Sequence, residues 1–407
     1  MSAPAAPALS PRERRRSIAI VILSTSVVAV TLGLTWPLLS LMLEAQGVSR
    51  TLIGLSSASQ LLAIVVVMPL TPWLLARLGT RRLMAWLIAG TVVTLLLLPA
   101  FPNVYAWFPI RFVLGAGLEL LFIAGDIWIN QAVEERSRGR VIGLYGFVLA
   151  GSFAAGPAII SLTGNAGWTP FVIGAVVVGL GAIPLAFARG IVPPVEGKPS
   201  GGPMHFLRLA PTLMLAGLMY GLIDSAVLSF LPLYGLSHGL AEATAVSLLT
   251  VLIVGMVLGQ LPIGYLADKL DPRTMIVACT VVTLGAALLL PLAIGRPALQ
   301  WPLLVVWGAA LGGFYTLGMI MMGQRFRGAD LAAVNAAFVV LWGVGGIGGP
   351  AITGTAMDLF GPDALPAFVA AACLVFLPVA ALRYLRHRRR QASGATDLRQ
   401  EESHGRD

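Results

Sequence analysis

Charge is what this sequence has least of. Only 11% of its 407 residues are charged, while 57% are hydrophobic and the mean hydropathy is +0.87. Soluble domains carry about 25% charged residues. A polar coat less than half as dense excludes an ordinary soluble globule and a disordered chain. Cysteine is nearly absent: Cys279 and Cys373 both lie in apolar runs, with no spacing for a metal site or a disulfide framework. Histidine is scarce too. His205, His238, His387 and His404 fall in predicted loops or tails, and no pair has zinc-ligand spacing. Gly197-Lys198-Pro199 lacks the upstream Gly and the Ser or Thr that a phosphate loop needs. Gly235-Leu236-Ser237-His238-Gly239 matches a nucleophile elbow formally, but an elbow requires strand–turn–helix context and this stretch is predicted as a short loop after an apolar run. The expectation is therefore not an enzyme, with no metal and no cofactor.

Long apolar runs are abundant. They are continuous rather than alternating, which excludes an outer-membrane barrel, and twelve spans of about 20 residues would account for them. The runs predict spans near 18–43, 52–75, 83–101, 105–130, 141–162, 169–188, 209–234, 243–266, 274–294, 301–322, 333–356 and 365–385. The first run begins like a signal peptide after Arg12–Arg16, but it is too long for an h-region and more spans follow, so it is expected to be a retained helix. Residues 189–208 are rich in Pro, Gly and Ser and predict a flexible linker. The predicted organisation is a cytoplasmic N-tail (1–17), a six-helix bundle (18–188), a cytoplasmic linker (189–208), a second six-helix bundle (209–386) and a cytoplasmic C-tail (387–407).

The net charge of +9 sits in short loops and at the two ends, with no basic domain in which aromatics are interleaved. It is expected to set topology beside an anionic bilayer surface, with no nucleic-acid partner. With the N-terminus inside, 24 of the 27 Lys and Arg fall on the cytoplasmic side, Arg50 and Arg296 fall outside, and Arg111 lies within a span. That bias predicts both termini in the cytoplasm and an even number of spans.

The chain also repeats itself. Pro37 and Pro232 are 195 residues apart, Pro72 and Gly264 192, Gly115 and Gly308 193, and Gly156-Pro157 and Gly349-Pro350 193. Four landmarks at one offset imply a duplicated six-helix unit, the layout of one large class of transporters.

These landmarks carry a family resemblance. Gly264-x-x-x-Asp268-Lys269-x-Asp271-Pro272-Arg273 resembles the loop motif Gly-x-x-x-Asp-Arg/Lys-x-Gly-Arg-Arg of the major facilitator superfamily. Its first copy keeps Arg77, Gly79, Arg81 and Arg82, with Pro72 and Ala76 in place of the Gly and Asp. Arg111-x-x-x-Gly115-x-Gly117 is similar to the family's Arg-x-x-x-Gly-x-Gly. Gly151, Gly156 and Pro157 partly match Gly-x-x-x-Gly-Pro, and Gly345-x-x-x-Gly349-Pro350 matches its spacing in span eleven. Segments at 111, 231, 259 and 335 look like the YcaD-like branch, which is bacterial. The resemblance covers about residues 18–385. It implies an all-α polytopic membrane protein of twelve helices in two pseudo-symmetric bundles, set in the bacterial inner membrane. It also implies that Gly264, Asp268, Lys269, Arg273, Arg77, Gly79 and Arg81 form a cytoplasmic latch; in the first copy, plain topological anchoring fits Arg77 and Arg81 equally. Gly115, Gly117, Gly156, Pro157, Gly349 and Pro350 are expected to pack or kink helices.

Mechanism is expected to rest on ionisable residues inside spans, where a charge costs roughly 2.5–3.5 kcal/mol on insertion scales. Those away from span ends are Arg111, Glu119, Asp126 and Asp224. Glu119 and Asp126 are seven residues apart, so at about 100° per residue they fall within about 20° of one helix face; Asn130 shares it. Glu119 is expected to carry a proton or else to be a structural carboxylate paired with Arg111 or another helix. Asp126 is expected to bind or to join Arg136, Arg138 or Arg140 in a gate. Asp224, with Tyr220 one turn earlier, is expected to bind substrate or proton because the resemblance places the first helix of each half on a central cavity. Trp36 and Thr35, with Thr31 and Ser24, are either substrate contacts or an interface anchor and hydroxyls bonded back to their own helix. Ser56, Ser57, Ser59, Gln60, Thr250, Gln260, Tyr145, Tyr315, Asn335 and Trp342 are further polar or stacking candidates, each more often a packing residue than a binding one.

The expected function is secondary active transport of a small solute by alternating access, proton-coupled, by a monomer in a lipid bilayer. An uncoupled facilitator and a non-transporting sensor or assembly protein are the alternatives. Two or three acids against one Arg favour a neutral or cationic solute over a polyanion.

Overall fold

The computed structural model describes residues 10–67, 70–134, 138–188, 210–267, 269–326 and 328–382. The linker and C-tail predicted at 189–208 and 387–407, and Asp268 and Arg136, lie outside the described residues. Among the described residues there is no strand. Apolar segments that must cross a bilayer satisfy their backbone groups internally, and a helix does so within one segment.

Among the described residues, twelve helices are long and apolar enough to span a membrane. They are α1 (Pro11–Ala45), α2 (Arg50–Val67), α3 (Thr80–Ala100), α4 (Val104–Ala132), α5 (Arg138–Thr163) and α6 (Thr169–Ala186, interrupted at Gly181). The second six are α7 (Pro211–Ser237), α8 (Glu242–Ala267), α9 (Pro272–Ala293), α10 (Pro297–Arg325), α11 (Gly328–Phe360) and α12 (Ala364–Leu382).

Three boundaries differ from the apolar pattern. α1 starts at Pro11, not near 18, because Ser10 and Glu13 form a capping box: the Ser10 backbone N–H donates to Glu13 Oε2 at 2.9 Å, and Glu13 N–H to Ser10 Oγ at 3.4 Å. The predicted span 52–75 divides into α2 and a short helix, Thr71–Leu78, which Gly79 ends in a left-handed backbone (φ 72°) before α3 begins. Ser237, predicted in a loop, closes the last turn of α7. Pro37 and Pro232 sit inside α1 and α7.

Within the first half α1 packs on α5 and α4, and α2 on α4; within the second α7 packs on α11, and α8 on α10. Glycines explain how closely they approach. A Cβ at Gly115 would strike the Gln60 backbone across the α2–α4 contact, and one at Gly308 would strike the Leu252 backbone across α8–α10. A Cβ at Gly156 would strike Gly33 between α5 and α1, and one at Gly349 would strike Leu222 between α11 and α7. The 193-residue offset is therefore a repeat of packing as well as of letters. Two glycines behave otherwise: Gly151 and Gly264 meet nothing within 4 Å. Gly117 only brushes Thr91 Oγ1 at 3.4 Å.

The halves meet along α2–α11, α5–α8 and α1–α7. Loops after odd-numbered helices share one end of the molecule, here the far end. The α1 N-terminus and the loops after even-numbered helices share the other, the tail end.

Candidate functional site

α4 carries its polar stripe past both α2 and α5. Gly115 lets α4 lie against α2. One turn away, Arg111 is fully buried and reaches Ser56 Oγ at 3.4 Å and Ser57 Oγ at 3.2 Å with its terminal nitrogens, while its Nε has no partner. Arg111 and Glu119 form no ion pair. Glu119 is buried at 8% exposure, and among the described residues no ion pair reaches it. Farther along, Gly125 abuts Thr25 of α1, and the next residue, Asp126, accepts a hydrogen bond from the Tyr145 hydroxyl of α5 at 2.8 Å. Asn130 donates to the Asp126 backbone carbonyl at 2.8 Å.

Opposite lies a belt from the second half. Asp224 of α7 is 4% exposed and its Oδ1 has no hydrogen-bond partner. It lies within interaction range of the Trp342 indole of α11, whose Nε1 also completes no hydrogen bond. It is within electrostatic reach of Tyr220. Tyr220 meets Tyr315 of α10 at a ring-centroid distance of 6.4 Å, and Tyr315 meets Phe338 at 6.4 Å. Tyr315 is in turn within electrostatic reach of Asp126 and Tyr145, on the other half. Yet Tyr315 is 40% exposed. A residue ringed by both halves and still that open faces an inner space, so the belt from Asp224 through Tyr220 and Tyr315 to Asp126 and Tyr145 borders a crevice between the bundles. Trp342 also stacks on Trp36 of α1, with centroids 6.5 Å apart and planes 13° from parallel. Trp36 is thus a buried contact between halves and not a surface anchor.

Other predicted residues lie elsewhere. Thr35 is fully buried and its hydroxyl donates to the Thr31 carbonyl at 2.7 Å, while Thr31 donates to Val27 at 2.7 Å. Both hydroxyls serve their own helix. At the tail end, Lys269 and Arg77 lie over the rings of Tyr265 and Trp73 on their own helical segments. Asp271 caps α9, accepting from Arg273 N–H at 2.9 Å. Arg273 lines a separate cavity of about 490 Å³ with Gln324 and Arg325. Arg81 lies in the first turn of α3. Arg14 pairs with Glu134.

One polar cluster had not been anticipated. At the far end, Asp358 of α11 accepts from the backbone N–H of Arg50 at 3.0 Å, from that of Thr51 at 2.8 Å, and from the Thr51 hydroxyl at 2.7 Å. A carboxylate from one half thereby caps the first turn of a helix in the other, where orphan N–H groups and the helix dipole favour an anion. The Arg50 guanidinium bridges Glu44 at 2.9 Å and Ser237 at 2.8 Å. Beside it, Tyr234 donates to Asp363 at 3.1 Å and the His238 ring lies 3.5 Å from the same oxygen. The available signal was an acid, Asp358, and a cation, Arg50, each at the end of an apolar run.

The family model described as Major Facilitator Superfamily matches the chain over residues 21–253 and 213–404. The uncharacterized MFS-type transporter YfkF of Bacillus subtilis is 24% identical over 351 residues, covering 84% of this chain and 88% of that protein. The uncharacterized MFS-type transporter YcaD of Escherichia coli is 26% identical over 368 residues, covering 88% and 94%. Among solved structures, the nucleoside transporter NupG superposes with a TM-score of 0.74 at 13% identity, covering 91% of this chain and 99% of that one. A bacterial homolog of the human lysosomal transporter Spinster, inward-facing and unoccupied, gives 0.73 at 15%, covering 92% and 97%.

Proposed function

The chain belongs to the Major Facilitator Superfamily, a multi-pass membrane transporter, and from that premise we propose that it is a proton-coupled secondary transporter working by alternating access. It sits in the inner membrane with both termini in the cytoplasm, the orientation favoured by the 24-to-2 bias in Lys and Arg. Glu119, Asp126 and Asp224 are the coupling and binding groups. The observation that carries this reading is their setting: three carboxyls inside membrane spans, Asp126 and Asp224 on the inter-bundle belt and Glu119 within electrostatic reach of Asp126, with no ion pair to any of them among the described residues. A carboxyl held out of water gains most by exchanging its charge for a proton. The polar ties across the far end support a conformation closed on that side, one of the two that alternating access requires.

The test uses proteoliposomes containing a pH-sensitive dye, challenged with a panel of metabolites and drugs. A solute that drives proton movement through the intact protein is then tried on Glu119→Gln and Asp224→Asn. Each amide should lower proton-linked flux at least tenfold while the protein still elutes as a folded species. Unchanged flux in both variants would remove the assignment.

A further inference from the structure

We propose, building on the transporter reading, that the crevice binds an organic monocation with a flat apolar body, its charged nitrogen on Asp224 and its rings against Trp342, Tyr220 and Tyr315.

The sign of the ligand follows from charge balance. Among the described residues, ion pairs join Arg14 to Glu134, Arg50 to Glu44, and His238 to Asp363; none involves Asp224, Asp126 or Glu119. The cation that shares their depth, Arg111, is fully enclosed and turned to Ser56 and Ser57. A buried carboxylate without a partner is strongly unfavourable. The crevice is therefore built to receive positive charge, whether a proton or a ligand, and to reject anions.

The shape of the ligand follows from the belt. Tyr220 and Trp342 lie beside Asp224, and Tyr315 lies beside Tyr220; among the described residues no cation–ring contact falls on these three faces. The cation–ring contacts of the described residues lie at the tail end instead, on Phe187, Trp73, Tyr265 and Phe326. Desolvated aromatic faces attract cations and stack on flat rings. Asp224, 4% exposed, has in Oδ1 an unbonded acceptor beside these rings. A proton alone would satisfy the carboxyl but would leave the aromatic faces without a role.

The experiment measures binding by quenching of intrinsic tryptophan fluorescence in the detergent-purified full chain. The probes are 1-methylquinolinium, its neutral counterpart quinoline at mildly alkaline pH, a quinoline carboxylate, and uridine. The cation should bind saturably and at least tenfold more tightly than the other three. Asp224→Asn should weaken it at least tenfold, and Asp224→Glu should restore part of the loss. Quinoline or uridine binding as tightly as the cation would overturn the proposal, as would an unchanged Asp224→Asn. The comparison of charged with neutral probe uses the natural chain, so it decides even where the variant does not fold. Proton-linked flux of a neutral or anionic solute, with no cation binding, would remove this site and leave the transport reading. Cation binding with no proton-linked flux would do the reverse.

Discussion

The seams α2–α11 and α5–α8 occupy equivalent places in the duplicated fold, yet they are built differently. At α2–α11 the backbones themselves touch: a Cβ at Gly54 would strike the Pro350 carbonyl and one at Gly354 the Arg50 carbonyl, while Gly343 and Gly346 receive Ile64 and Leu61. At α5–α8, among the described residues, no glycine serves the contact. Gly143, Gly146, Gly151 and Gly264 meet nothing within 4 Å, Gly156 is used against α1, and Gly255 and Gly259 are used against α10. The polar ends differ as well. Asp358 ties α11 to the start of α2, whereas the residue 193 positions before it is Asn165, which carries no charge. One seam is a close fit pinned at the far end. The other rests on side chains, which can slide or separate at lower cost because side-chain contacts re-form in several rotamers while a backbone fit has one geometry. The internal repeat offers two like surfaces, and their different glycine contacts make one of them the tighter joint.

The largest effect expected from this contrast is steric. Gly54→Leu should destabilise the detergent-purified protein by about 1–3 kcal/mol through overpacking, or prevent assembly, while Gly151→Leu should stay within about 0.5 kcal/mol. Thermal melting of the two variants side by side checks this; equal losses would end the distinction between the seams. Next comes the cross-half cap. Asp358→Ala should cost about 0.5–2 kcal/mol and speed hydrogen exchange of the amides at the start of α2 without touching those of α8. Protection unchanged at Arg50 and Thr51 would mean that the cap holds nothing. Smaller still is the stacked pair near the middle of the molecule. Trp36→Ala and Trp342→Ala should show a coupling of about 0.5–1.5 kcal/mol in a double-mutant cycle, and additive losses would show that the rings merely fill space. Least affected should be His238→Gln at the half-exposed contact with Asp363, about 0–1 kcal/mol; a larger shift in melting would make that corner a structural tie within the second half.

The fold was legible because the bilayer leaves little choice: runs of about 20 apolar residues become helices, and their number follows. The start of α1 was missed because a capping box outweighed the charge that follows it. The break after α2 and the helical placement of Ser237 depended on local backbone that hydropathy does not report. The candidate site was legible only as a set of misplaced polar letters. Glu119, Asp126 and Asp224 stood out because charge in an apolar run is costly, and Tyr145, Tyr220, Tyr315, Trp342 and Ser56 stood beside them as polar or stacking candidates, but which of these meet was not legible. Tyr145 lies 19 residues from Asp126, Ser56 55 from Arg111, and Asp358 more than 300 from Thr51.

By itself the amino-acid order determined that the chain lives in lipid, how many times it crosses, that its halves share landmarks at one offset, and which few residues bear charge at depth. Each of these follows from solvent transfer and periodicity, which act on a segment alone. Tertiary structure alone decided that Arg111 turns to serines instead of Glu119, that Thr35 bonds inward while Trp36 stacks across the halves, and that an acid from one half caps a helix of the other. Such choices depend on which helix faces meet, and that is settled by backbone-to-backbone approach at glycines scattered over the whole chain, a sum that no single stretch contains.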